Sequence, residues 1–235
     1  MFARETHVNQ DAHNQSRIFT IITIDGPSAS GKSTVSTRVA ATLGGVAMLT
    51  GKHYRSVTCA LMHAGCDMMS QSAIDRALPA LRISMNPQAA LMIDGRMFAD
   101  SDIENARVEA HVSTVANNTH VRETLIALQR QYVSKYASPS CVVVIEGRDA
   151  GTVISPEAPL RYFLHASAEA RAGRRQQQRG DLPREATKAA IESRDARDQG
   201  LGRATEQSPG LRVIDTDVLT QEQVVARILT DIRAI

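Results

Sequence analysis

Apolar residues fall along this chain in short dense runs separated by longer mixed stretches, and the alternation predicts strands followed by helices. Residues 19–24 (F-T-I-I-T-I) have the β-branched density of a buried strand. Residues 32–43 then carry a helical pattern, stopped by Gly44-Gly45 where helices commonly end. Residues 46–49 predict a short second strand. The densest apolar run is 141–145, with Cys141 as a core residue, and residues 160–164 and 211–214 predict two further strands. Between them, residues 103–136 suit helix in two pieces broken near Asn117-Asn118. Residues 168–179 and 184–198 have helical composition on either side of Gly180-Asp181-Leu182-Pro183. Thr220 and Gln223 form a capping box for a last helix, whose Val224, Val225, Ile228, Leu229 and Ile232 share one face. Strands alternating with helices, and central strands that are uniformly apolar, predict an α/β fold with a five-stranded parallel sheet covered on both faces. One stretch breaks the rhythm. Leu91-Met92-Ile93, Asp94-Gly95 and Arg96-Met97-Phe98 predict a hairpin about a type I′ turn, and with the helices that follow it is expected to form an insertion.

Composition narrows this picture without redirecting it. With only 3% aromatic residues in 235, aliphatic side chains must fill the core. A formal net charge of +2 gives no broad basic field for nucleic acid or a membrane surface, so neither is expected as a partner. Cys59, Cys66 and Cys141 show no metal-ligand or C-x-x-C spacing and suit reduced thiols. Residues 1–17 are polar, lack the apolar segment of a signal peptide, and are expected to be a disordered leader on a cytoplasmic protein.

The chemistry begins after the first strand. Gly26-Pro27-Ser28-Ala29-Ser30-Gly31-Lys32-Ser33, followed by Thr34, matches G-x-x-x-x-G-K-[ST] in full. Glycines let the backbone curl so that its N–H groups converge on phosphate oxygens, and the next helix adds its positive end. Lys32 can follow charge on a transferring group, and the Ser33 hydroxyl can hold Mg²⁺. The strand-loop-helix context makes a chance turn improbable, and the loop is expected to bind ATP. The guanine reader N-K-x-D, the switch D-x-x-G and the L-S-G-G-Q string are absent, which argues against a GTPase or an ABC-type ATPase. Arginines are present instead, and a phosphotransferase needs several to bring two polyanions together.

Four further stretches stand out: G51-K-H-Y-R55, V121-R-E-T-L125, E146-G-R-D-A-G-T152 and R194-D-A-R-D198. With the phosphate loop and the closing V213-I-D-T216, their order and spacing resemble bacterial cytidylate kinases over about residues 18–235. The resemblance implies a P-loop kinase core, a monophosphate-binding insert over about 77–127 and a short lid over about 172–185. It also implies transfer of the ATP γ-phosphoryl group to CMP and dCMP, in a monomer using Mg²⁺. Arg55 and Arg148 would hold the acceptor phosphate near Thr50. Ser113, Arg122 and Asp149 would read the cytosine edge. Arg194 and Asp198 would contact the ribose, and Arg174 or Arg175 would close over the phosphates. Residue by residue, Arg148 can grip a phosphate bidentately. Glu146, ending the strand at 141–145, could position Mg²⁺ through water. On the residues alone, the run Arg171, Arg174, Arg175 and Arg179 suits a solvated basic face equally well. His53, His63 and His165 suit structural roles, and Lys52 a solvent role.

The chain departs from the family pattern at several points. Leu49 stands where an aspartate is usual, and Glu104 where an arginine is expected. Leu201 occupies the place of another arginine, with Arg203 two residues on as a possible substitute, and the lid over 176–186 is several residues short. These changes imply a raised KM for CMP. Two alternatives remain at this point: a kinase for another small acceptor such as UMP, and a nucleotide-binding regulatory protein without transfer activity.

Overall fold

A computed structural model of the chain describes residues 19–179, 184–198 and 204–234. The expected leader and the centre of the expected lid, 180–183, therefore lie outside the described residues. Five strands, β1 (Ile21–Asp25), β2 (Val46–Leu49), β5 (Val143–Gly147), β6 (Leu160–His165) and β7 (Arg212–Asp215), form one sheet in the order β2-β5-β1-β6-β7. Every pairing in it is parallel. The strand period of two divides the apolar runs between the faces. Val142 and Val144 join Ile22, Ile24, Leu160, Tyr162 and Leu164 beneath α1 (Lys32–Thr42) and α9 (Gln221–Arg233). Val143 and Ile145 turn the other way, towards Tyr132 and Val133 of α6 (Thr119–Tyr136). A run with no polar residue is thus what a doubly covered strand requires. Apart from Phe19 and Tyr162, the α1/α9 side is filled by aliphatic residues.

Three expectations about this framework need correction. The hairpin exists, but its arms are β3 (Ile83–Met85) and β4 (Leu91–Ile93), not 91–93 and 96–98. Asp94 and Gly95 do take positive φ, 51° and 77°, yet the turn closes only the single bridge from Ile93 to Arg96. Ile83 and Met85 pack with Leu91 and Ile93 on a second apolar cluster, whereas Met97 in the expected arm is exposed. Cys141 is half-buried and precedes the strand, in a bridge with Ser138. The third correction is an omission. α2 (Thr50–His63) follows β2 directly, and its Val57, Ala60 and Leu61, spaced for one helix face, pack on that second cluster.

The helical break falls at Asn117-Asn118. α5 (Ala106–Ala116) is capped by Asn105, whose Oδ1 accepts from Val108 N at 3.1 Å. α6 is capped by Asn118, whose Oδ1 accepts from Val121 N at 2.9 Å. Two short helices, α3 (Gln71–Ala77) and α4 (Asp100–Ile103), flank the hairpin, and α7 (Ala168–Arg179) and α8 (Arg184–Asp198) pack on each other beyond β6. The capping box expected at Thr220 and Gln223 is formed. The three cysteines are free thiols. No helix among the described residues is long and apolar enough to cross a membrane.

His53 ties α2 to the hairpin turn and to α6. The fully buried ring donates from Nε2 to the Ala89 carbonyl at 2.8 Å and accepts at Nδ1 from Gln129 at 3.1 Å. Burial pulls its pKa down to about 4 from the ordinary 6.5, so the fold favours the neutral ring. That contribution is complete above pH 6.5 and is lost as pH falls towards 4. Urea denaturation at stepped pH should show a loss approaching about 3 kcal/mol from this group. The His53→Gln protein should lack that share of the slope between pH 6.5 and 5; an unchanged slope would refute the assignment.

Candidate active site

All five strands end on the same side, and the residues that carry chemistry leave from those ends, where open α/β sheets place ligands. The loop after β1 turns into α1 through three residues with positive φ: Gly26 at 144°, Ala29 at 61° and Gly31 at 90°. A Cβ on Gly26 would stand 2.5 Å from the Leu164 carbonyl oxygen, so the first glycine is required both by conformation and by space. Lys32, on the first turn of α1, is buried at 6% exposure. Its ammonium donates to the Pro27 carbonyl at 2.6 Å and lies 3.7 Å from Glu146 Oε1. A buried lysine is tolerated only with such partners.

A cleft of about 600 Å³ opens over this loop. On the loop side it is lined by Ser28, Ala29, Gly31, Lys32, Ser33 and Thr34. Facing them are Thr50 and Arg55 from α2, Ser113 from α5, Arg122 from α6, and Glu146, Arg148 and Asp149 from β5 and the loop after it. Arg175 of α7 completes the wall. Residues far apart in sequence thus line one cleft. Arg122 Nη2 donates to Asp149 Oδ2 at 2.6 Å, Asp149 being 4% exposed. Arg148 approaches Asp195 of α8 at 3.9 Å. Of the two arginines expected to close over phosphates, Arg175 reaches Ser28 Oγ at 3.4 Å, while Arg174 turns to the Thr216 hydroxyl at 3.0 Å, after β7. Arg194 and Asp198 belong to α8, but their side chains lie outside the described residues, as does Arg203 altogether.

Lys52, its side chain 35% exposed, meets solvent and also lines the cleft, paired with Asp100 at 2.6 Å and with Glu104 at 3.8 Å. One expectation fails here. Arg171 is not on a solvated face: it is 5% exposed, donates to the Ala166 carbonyl at 3.0 Å and pairs with Asp195 at 2.7 Å. These two partners hold it inward, which a count of arginines does not show.

The sequence reading also passed over Asp25, Glu109 and Asp195. Asp25 ends β1 with no exposed surface; its Oδ1 accepts from Ala150 N at 2.8 Å and its Oδ2 from Gly151 N at 2.7 Å. Burial pushes its carboxyl up to about 7, opposed by those two amides and by Lys32. Ala150–Ile154 is a single wide helical turn directly after Asp149, so this pair of bonds holds the far wall of the cleft to the root of the phosphate loop.

For a metal, the nearby donors are hard oxygens: the exposed Ser33 hydroxyl and the Glu146 carboxylate, both lining the cleft. That chemistry fits Mg²⁺ and not a soft transition metal.

Residues 22–234 match the family model described as cytidylate kinase. The chain is 37% identical over 212 residues to a cytidylate kinase of Mycobacterium avium, covering 87% of this chain and 91% of that one. It is 37% identical over 225 residues to one of Azotobacter vinelandii, covering 91% and 95%. Over 222 residues it is 36% identical to one of Corynebacterium diphtheriae, covering 89% and 93%.

Replacing Asp25 by Ala should leave the Ala150 and Gly151 amides buried without acceptors, at a cost of at least about 2 kcal/mol in urea denaturation. Loss of less than about 0.5 kcal/mol would show that the two loops do not depend on this carboxylate.

Proposed function

The chain belongs to the cytidylate kinase family, and from that premise we propose that its cleft carries the γ-phosphoryl group of ATP to CMP, giving CDP and ADP, with dCMP as a second acceptor. The observation that carries this reading is the shared cleft. One wall is a complete phosphate loop with a buried lysine, and the other presents Arg55, Arg122, Arg148 and Asp149. A cleft for hydrolysis needs only the first wall; transfer needs both, with water excluded between them.

An oxygen of the acceptor phosphate attacks the γ-phosphorus while the bond to the β–γ bridging oxygen breaks, and ADP leaves with that electron pair. The nucleophile is already ionised, so no side chain has to remove a proton. Lys32 and the amides of residues 28–34 hold the donor phosphates and follow the charge as it moves to the leaving oxygen. Ser33 would hold Mg²⁺ directly and Glu146 through water; the ion supplies charge neutralisation on the donor phosphates when bound. Arg55 and Arg148 hold the acceptor phosphate, with the buried Thr50 hydroxyl beside them. Ser113, Arg122 and Asp149 face the base: the cytosine amino group donates to Asp149, while its O2 and N3 accept from Arg122 and Ser113. Arg175, within reach of Ser28, supports charge in transfer, and Arg174 steadies the segment after β7. Arg194 and Asp198 are assigned to the acceptor by resemblance alone, and Arg203 as a substitute for the arginine replaced by Leu201. The insert over 77–127 and the lid over 172–185 are read as the acceptor-binding and closing parts. The protein is read as a monomer of the cytoplasm, a compartment that three free thiols suit.

A coupled assay of ADP release with CMP, dCMP and UMP tests the reading. Activity on CMP should exceed that on UMP; ATP binding with no transfer to any monophosphate would overturn it. Lys32→Ala should lower kcat by at least about 100-fold with the fold retained, and a near-normal rate would remove Lys32 from the mechanism. Asp149→Asn should cut kcat/KM for CMP by about 10- to 100-fold while leaving the KM for ATP close to normal. Equal losses on CMP and UMP would show that Asp149 does not read the base.

A further inference from the structure

Glu109 is a carboxylate inserted among groups suited to phosphate. It lies in the first turn of α5, and each of its oxygens is taken by a different arginine. Oε2 accepts from Arg55 Nη2, and Oε1 stands 2.8 Å from Arg175 Nη2. Both arginines line the cleft, and they come from separate elements, α2 and α7. Arg55 is also anchored at the Ile103 carbonyl, 3.2 Å away, and Arg175 at the Ser28 hydroxyl of the phosphate loop. One anion bridging two guanidinium groups is the arrangement by which a phosphoryl group is gripped. The side chains are partly buried, 14% exposed for Arg55, 18% for Arg175 and 20% for Glu109, so water screens these pairs less than surface pairs.

We propose that Glu109 is an internal anion that occupies Arg55 and Arg175 until the phosphate of the acceptor displaces it, and that this exchange sets the affinity for the acceptor. The proposal rests on the assignment of those arginines to phosphoryl groups. Acceptor binding is then a substitution, not an addition. A phosphate dianion brings two charges and three free oxygens against one charge and two oxygens, so it can win both arginines where a monoanion cannot. Glu109 keeps one-fifth of its side-chain surface in water and can turn there when released. Until then the bridge holds α5 to α2 and to the donor side of the cleft. Glu109 acts through the arginines and is a positioning residue.

Glu109→Gln keeps the shape and removes the charge. The KM for CMP should fall by roughly threefold to tenfold, the range expected for losing one partly exposed ionic competitor. The KM for ATP should stay within about twofold, and CMP affinity measured by calorimetry without ATP should tighten by the same factor as the KM. An unchanged or raised KM for CMP would overturn the proposal, because it would make Glu109 a structural staple or an organiser of the arginines. Glu109→Asp, which draws the carboxylate back by one methylene, should give a smaller decrease. If the Gln variant does not fold, the Asp variant decides by the same criterion. If the wild type transfers nothing to CMP, the functional reading fails separately, and binding of inorganic phosphate decides the exchange: tighter binding by Glu109→Gln supports it, and equal or weaker binding overturns it.

Discussion

The carboxylate of Asp25 receives the amides of Ala150 and Gly151, and this one contact joins the two halves of the cleft. Parallel pairing of β1 with β5 sets Asp25 beside Gly147, so both strands reach the sheet edge together. Pairing alone leaves the loops beyond that edge free to diverge. The buried acceptor at the end of β1 fixes the second loop as it leaves β5, and the wide turn at Ala150–Ile154 starts from there. Buried amides without a partner are costly, so the contact has a definite geometry and holds Glu146, Arg148 and Asp149 at the distance that defines the cleft.

Charge compensation is the second theme of the site. Lys32 faces Glu146, Arg122 faces Asp149, Arg55 and Arg175 share Glu109, Arg171 takes Asp195, and Lys52 takes Asp100. A cleft with this many cations at close range would repel itself and hold its side chains apart if no anion were present. The carboxylates keep the cationic groups assembled before any polyanion arrives. They also turn binding into exchange, in which a ligand gains only the difference between its own contacts and those it replaces.

The departures from the family pattern act at the same places. Leu49 lies at the cap position of α2 and provides no side-chain cap, whereas the aspartate expected there has an oxygen able to accept from the first amides of the helix. Glu104 adds a negative group to the cleft where a positive one is expected, and Lys52 lies 3.8 Å from it. The cleft wall therefore carries a carboxylate where an arginine is expected, while the loop after β1 keeps every residue of its motif.

The phosphate loop was legible in full from the sequence, because its function depends on backbone torsions and a lysine within eight consecutive residues. Strand and helix order was legible for a similar reason: a doubly covered sheet demands apolar runs, and Val143 to Ile145 supply one whichever neighbours they meet. The ordered stretches around Arg55, Arg122 and Arg148 pointed to the site through resemblance, not through local physics. What the tertiary structure decided was pairing. β4 pairs with the flank that packs beside it on the second apolar cluster, and Arg171 turned inward because Asp195 and the Ala166 carbonyl wait there. Asp25 and Glu109 were unreadable for the same reason, since a carboxylate takes its role from what stands across from it, and for these two that was 125 and 54 positions away in the chain.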